Sequence, residues 1–183
     1  MEGDLLKHNI VIYGHPALRR KSVKVKTVDD DTRRFADDLL ETMYAYGGIG
    51  LAAAQIDHTE CMCVIDMSQA GDRPDARLEE NDHVAMPMVL INPTITAMEG
   101  KQVGQEGCLS FPEIYADVRR ADLVTVSYQN LDNQKVVVKA TGLLSRALQH
   151  EIDHLNGVLF VDRIAPAQKV VLSGKLKRLK KTS

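Results

Sequence analysis

Residues 143–155 constrain this chain more than any other stretch. Leu144, Leu148, Ile152 and Leu155 recur at helical spacing along one face, and Leu143, Ala147, His150 and His154 along another. A helix apolar on two faces belongs inside a protein rather than on its surface. The other elements are expected to pack around it. Gly157 stops it, as glycine does just past a helical C-terminus.

With 183 residues and 44% hydrophobic content, one core that buries about 70% of the unfolded surface is within reach. No linker or internal repeat interrupts the chain, so 1–183 reads as a single domain. The formal charge of −2 gives no global pull toward DNA or an anionic membrane. No apolar run approaches the roughly 20 residues of a spanning helix. The opening Met1-Glu2-Gly3-Asp4 is acidic and begins no signal peptide. A cytoplasmic protein is the expectation. Its three cysteines, Cys61, Cys63 and Cys108, do not form the even, dense set of a disulfide scaffold.

Other elements follow from local signals. Val11-Ile12-Tyr13 is extended, with a turn at Gly14-His15-Pro16. Thr27 is the expected N-cap of a first helix, with Asp29, Asp30 and Asp31 at its positive end and Phe35, Leu39 and Met43 as its stripe. Gly47-Gly48 ends it. Strands are expected at 61–65, around Val89-Leu90-Ile91, and at 123–128 and 135–141, the last two joined through Asp132-Asn133. The acidic stretch 67–87 reads as a solvated surface loop. A last helix starts at Pro166, and 166–183 carries Leu172, Leu176 and Leu179 on one edge and Lys169, Lys175, Lys177, Arg178, Lys180 and Lys181 on the other. Strands in runs with non-alternating helices define an α+β fold. Small mixed or antiparallel sheets should surround the central helix, with one helix in the N-terminal half and one at the C-terminus.

The chemistry lies on the central helix. His150-Glu151-Ile152-Asp153-His154 is an H-E-x-x-H pattern, which stacks two imidazoles on one face where both can reach one metal ion. Glu151 lies about 100° around the axis, close enough to take a proton from a water beside that ion. Two histidines leave a catalytic metal short of protein ligands. A zincin-type metallopeptidase would add a downstream ligand, but no histidine follows His154, and of the acids only Asp162 does. Upstream, Cys108 in Glu106-Gly107-Cys108-Leu109-Ser110 offers a thiolate, and a Cys-His-His site with one open position would result.

Three segments taken together, Gly48-Ile49-Gly50-Leu51-Ala52-Ala53-Ala54-Gln55, Glu106 to Ser110, and Gln149 to His154, resemble in order and spacing the three motifs of the peptide deformylases. Tyr13-Gly14-His15-Pro16-Ala17-Leu18-Arg19 is similar to that family's N-terminal segment. The resemblance spans about residues 9 to 165. It implies removal of the formyl group from the initiator methionine of nascent polypeptides, with release of formate. It also implies one divalent ion, most often Fe(2+), with Zn(2+), Ni(2+) or Co(2+) as substitutes. Carried over by position, Cys108, His150 and His154 hold the metal and Glu151 is the general acid/base. Gln55 and the backbone N–H of Leu109 stabilise the oxyanion. Ile49, Gly50 and Leu109 line the methionine pocket, with Gly50 pairing to an extended peptide. Glu106 or Asp153 is expected to accept an N–H from a ligating imidazole. The basic terminal helix has two readings, a solvated end or, in keeping with the same resemblance, a contact with the ribosome.

Two positions depart from common family patterns. Ala54 stands where many relatives carry proline or threonine, and Tyr115 where some carry an arginine that helps bind substrate backbone. Cys61 and Cys63 share one strand face and read as packing residues. His15, His58 and His83 lack ligand spacing.

Overall fold

Alternation in the short strand Met62–Ile65 decides which helix covers which face of the main sheet. Met62 and Val64 pack with Ala36, Leu39 and Met43 of an N-terminal helix, while Cys63 and Ile65 pack with Leu144, Leu148 and Ile152 of the central one. The computed structural model describes residues 7–71 and 76–181. The acidic opening Met1 to Asp4 and residues 72–75 of the acidic stretch lie outside the described residues.

The five-stranded sheet has the order β1 (Gly50–Ala52), β2 (Met62–Ile65), β3 (Met88–Glu99), β6 (Leu123–Gln129), β7 (Lys135–Thr141), with every pairing antiparallel. Helix α1 (Asp30–Ala45) covers one face and α2 (Gly142–Leu155) the other. A separate ribbon of β4 (Gln102–Glu106) and β5 (Ala116–Arg120) packs with α3 (Phe160–Arg163) through Val118, Phe111 and Phe160. Helix α4 (Pro166–Lys181) lays Leu172, Leu176 and Leu179 against that third cluster. The expected α+β architecture is the observed one. Among the described residues no helix is long and apolar enough to cross a membrane.

Helix α2 is buried over its whole length. Its start is bent into place by Gly142 at φ +56, where a Cβ would lie 2.8 Å from the Ala76 carbonyl oxygen. Its end is set by Gly157 at φ +71, where a Cβ would meet the Arg19 carbonyl oxygen at 2.5 Å. The N-terminal segment thereby locks onto the end of the chemically loaded helix, and Ser22 N–H donates to Leu155 O at 2.8 Å.

Two local readings are corrected and a third is refined. Asp29, not Thr27, caps α1, accepting from Thr32 N at 2.9 Å. The Thr27 carbonyl instead accepts the Thr32 hydroxyl. The 67–87 stretch is not a wholly solvated loop: short 3₁₀ turns at Met67–Ala70 and Leu78–Asn81 bring Met67, Ala70 and Ala76 into the core beside α2. The 11–13 segment is extended yet joins no sheet. It donates Val11 N–H to Gln55 O at 2.8 Å and Tyr13 N–H to Ser110 O at 2.9 Å. The segments that carry the first and second sequence motifs are thus tied by one strap.

Candidate active site

His150 and His154 leave α2 one turn apart, and their Nε2 atoms lie 3.2 Å from one another. Cys108 reaches the same point from the turn after β4, its Sγ 3.3 Å from His154 Nε2. That turn is closed by Phe111 N–H to Cys108 O at 2.8 Å. The three ligand atoms all lie within 4.8 Å of one another. Lone pairs so close repel unless a proton or a cation sits among them. Ligands of one tetrahedral ion with bonds of about 2.0–2.3 Å stand roughly 3.3–3.7 Å apart. The donor set, one thiol and two imidazoles, therefore fits a single divalent ion.

The carboxylate of Glu151 is buried beside this group, and its Oε2 has no hydrogen-bond partner among the described residues. Burial pushes its pKa up to about 7. Gly50 makes this position possible: a Cβ there would lie 2.5 Å from Glu151 Oε1. Gln55 sits on the 3₁₀ turn Ala53–Ile56 with only 1% of its surface exposed. Its Oε1 accepts Ala52 N–H at 2.9 Å, which turns Nε2 toward Cys108 Sγ at 3.4 Å and Ser110 Oγ at 3.3 Å. Among the described residues the Leu109 N–H meets no acceptor of the protein. Two neutral donors and one carboxylate thus surround the thiol and imidazoles.

Glu106 and Asp153 separate in role. Glu106 Oε2 lies 3.0 Å from His150 Nδ1, in the place expected for an imidazole's acceptor. Asp153 touches no ligand ring. It accepts from Arg120 Nη1 at 2.5 Å and from Arg163 at 2.5 and 2.6 Å. Arg120 forks onto Glu106 with Nε–Oε1 at 2.8 Å and Nη2–Oε2 at 2.9 Å. Burial favours the protonated acid, but the guanidinium and His150 outweigh it and hold Glu106 down at about 2. Burial also opposes charge on both rings. On His150 the contacts with Cys108 and Glu106 win and its pKa stands well above the ordinary value. On His154, whose Nδ1 has no partner among the described residues, burial and the neighbouring His150 push it well below.

Arg120 is not among the residues that the sequence singled out. The signal was present in alternation: Ala116, Val118 and Arg120 are the buried positions of β5. Ser110, fully buried beside Gln55, stood within the second motif without a role assigned to it, and Arg163, which has no spacing that would mark it, was missed. Cys61 and Cys63 pack in the core as expected.

The site opens into a cleft of about 910 Å³ bordered by Ile49, Gly50, Leu109, His150, Glu151 and Tyr115. Strand β1 is an edge of its sheet, so Gly50 presents one strand edge that β2 does not use. A helix-borne His-Glu-His set completed by a cysteine, with amide donors around it, defines a metal-dependent hydrolase. Residues 7–170 match the polypeptide deformylase family model. A peptide deformylase of Rhizobium meliloti is 41% identical over 174 residues, covering 94% of each chain. One from Thermomicrobium roseum is 46% identical over 155 residues, covering 85% of this chain and 84% of its own. Among solved structures, the Synechococcus elongatus peptide deformylase in complex with actinonin superposes with a TM-score of 0.80 at 39% identity, over 92% of this chain and 87% of that one. The Thermus thermophilus enzyme gives 0.83 at 36% identity, over 96% and 99%. This chain belongs to the peptide deformylase family, and as such it is a hydrolase that removes the N-formyl group from nascent polypeptides.

Proposed function

We propose that Cys108, His150 and His154 hold a ferrous ion in this chain, and that Glu151, Gln55 and the Leu109 N–H carry out deformylation around it. The supporting observation is convergence: three ligand atoms within 4.8 Å lie beside a buried carboxylate oxygen that has no partner among the described residues. When bound, the ion supplies Lewis acidity and lowers the pKa of a water.

The residues divide the rest of the work. Glu151 takes the proton from the attacking water and delivers it to the departing amine nitrogen as the formyl C–N bond breaks. Gln55 Nε2 and the Leu109 N–H donate to the formyl oxygen as negative charge grows there, Gln55 by exchanging one of its present contacts with Cys108 Sγ or Ser110 Oγ. Glu106 holds the His150 ring and its tautomer through Nδ1. Asp153 acts one step further out, as the anchor of Arg120. The peptide extends along the free edge of β1 at Gly50, with Ile49 and Leu109 near the methionine side chain.

The test is formate release from a formyl-methionyl tripeptide by anaerobically prepared Fe(II) protein, beside the same peptide acetylated. Formate release with the acetyl peptide intact is expected. An inactive Fe(II) protein would sink the reading, and cleavage of the acetyl peptide would make it a general amidase. Metal analysis of protein purified without oxygen tests the identity of the ion, since a Cys-His-His set also takes zinc, nickel or cobalt.

A cytoplasmic setting at the ribosome goes with this substrate. Helix α4 supports it in one respect: its leucines face the core, leaving Lys169, Lys175, Lys177 and Arg178 exposed. Changing those four to Gln keeps the packed edge and is expected to abolish co-sedimentation with ribosomes at low salt. Undiminished co-sedimentation of that variant would leave α4 as a solvated cap.

A further inference from the structure

The side-chain amide of Gln55 is held at three points. Its Oε1 takes the Ala52 N–H at 2.9 Å. Turning the amide over would set its NH2 group against that donor, so Nε2 must face the site. Nε2 carries two hydrogens and has two acceptors, Cys108 Sγ at 3.4 Å and Ser110 Oγ at 3.3 Å. They are not equivalent. Sulfur is the weaker acceptor, and Cys108 belongs to the group that could hold an ion. Ser110 has no exposed surface, so bulk water does not compete for its hydroxyl. The hydrogen facing sulfur is therefore the one that can pass to a formyl oxygen, while the hydroxyl keeps the other.

The main chain holds the two residues in register. Val11 N–H donates to Gln55 O at 2.8 Å and Tyr13 N–H to Ser110 O at 2.9 Å. Donors two residues apart in extended backbone lie on one edge, about 6.6 Å from one another. The Tyr13 ring also stacks on Phe111, the neighbour of Ser110, with centroids 4.8 Å apart. Gln55 and Ser110 thus hang from one strap, and neither can slide past the other without breaking a hydrogen bond to it.

We propose that Ser110 is the positioning residue of the oxyanion donor. Its hydroxyl keeps one hydrogen of the Gln55 amide throughout the reaction, so that the other is aimed at the formyl oxygen. Ser110 itself touches no reacting atom. The inference rests on the deformylase reading and on the role given there to Gln55.

A double-mutant cycle on the nickel-loaded holoenzyme tests it, with a formyl-methionyl tripeptide as substrate. Ser110→Ala should lower kcat about tenfold with KM little changed, since the amide acts on charge that appears only in the transition state. Gln55→Ala should lower kcat about a hundredfold. In the Gln55→Ala background, Ser110→Ala should cost less than about twofold, because no amide is left to position. A tenfold loss in both backgrounds overturns the proposal, as does an unchanged kcat in Ser110→Ala or in Gln55→Ala. Metal affinity, measured by chelator competition on the zinc-loaded protein, should match wild type in Ser110→Ala. A tenfold fall there would mean that Ser110 supports the Cys108 turn instead, and would also overturn it. Should Ser110→Ala not fold, as judged by circular dichroism, Ser110→Cys takes its place in the cycle. It keeps the volume nearly constant and replaces the hydroxyl with a weak acceptor, so the same fall in kcat is expected and its absence overturns the proposal. A wild-type holoenzyme inactive on every formyl peptide would contradict the deformylase reading instead.

Discussion

Glu151→Gln should lower kcat for deformylation about a thousandfold, with the metal still bound, because it removes the group that carries the proton from water to amine. The amide has the shape of the carboxylate, and shape matters here: Gly50 leaves no spare room against Oε1. Glutamine therefore occupies the same volume without serving as a base. Stability should move the other way. A buried carboxylate with one unpartnered oxygen and a pKa raised to about 7 by burial costs the fold free energy when ionised. Replacing it with a neutral amide should leave the thermal midpoint equal or higher. A variant within tenfold of wild type would show that another group moves the proton. A collapse of metal content would instead assign Glu151 a place among the ligands.

What could be read from the chain tracks how local each signal is. Helix α2 was legible because its periodicity, its stop at Gly157 and its His-Glu-His spacing all lie within one short stretch. Gln55, Cys108 and the two histidines were legible as motif positions, and the fold brings all four together. Strand β1 was not, because Gly50, Leu51 and Ala52 are all buried and so show no alternation. The β4–β5 ribbon was hidden by Gly104, whose reason for being glycine is an arginine far along the chain. Met67, Ala70 and Ala76 were obscured by acidic neighbours, since their burial depends on contact with α2 rather than on any period of their own. Long-range ionic contacts leave the weakest trace, and Arg120 is the clearest case.

Arg120→Met is expected to cost about 3 kcal/mol of folding free energy, because it leaves buried acids without their cation. The guanidinium is nearly inaccessible and bridges Glu106 to Asp153, so both carboxylates depend on it. Arg163 still pairs with Asp153, which limits the loss on that side. Among the described residues, Glu106 then keeps His150 as its side-chain partner. A carboxylate freed from its fork can turn, and His150 then loses its fixed ring orientation. Metal affinity should accordingly fall 10- to 100-fold, measured by chelator competition on the zinc-loaded protein. Arg120→Met/Glu106→Gln separates the two effects. Removing the buried charge along with its partner should recover most of the stability. Affinity should stay low, because a neutral amide accepts more weakly from Nδ1 and nothing forks onto it to hold it in place. If stability and affinity instead recover together, Arg120 serves only to neutralise a buried acid, and the orientation of His150 must come from packing along α2.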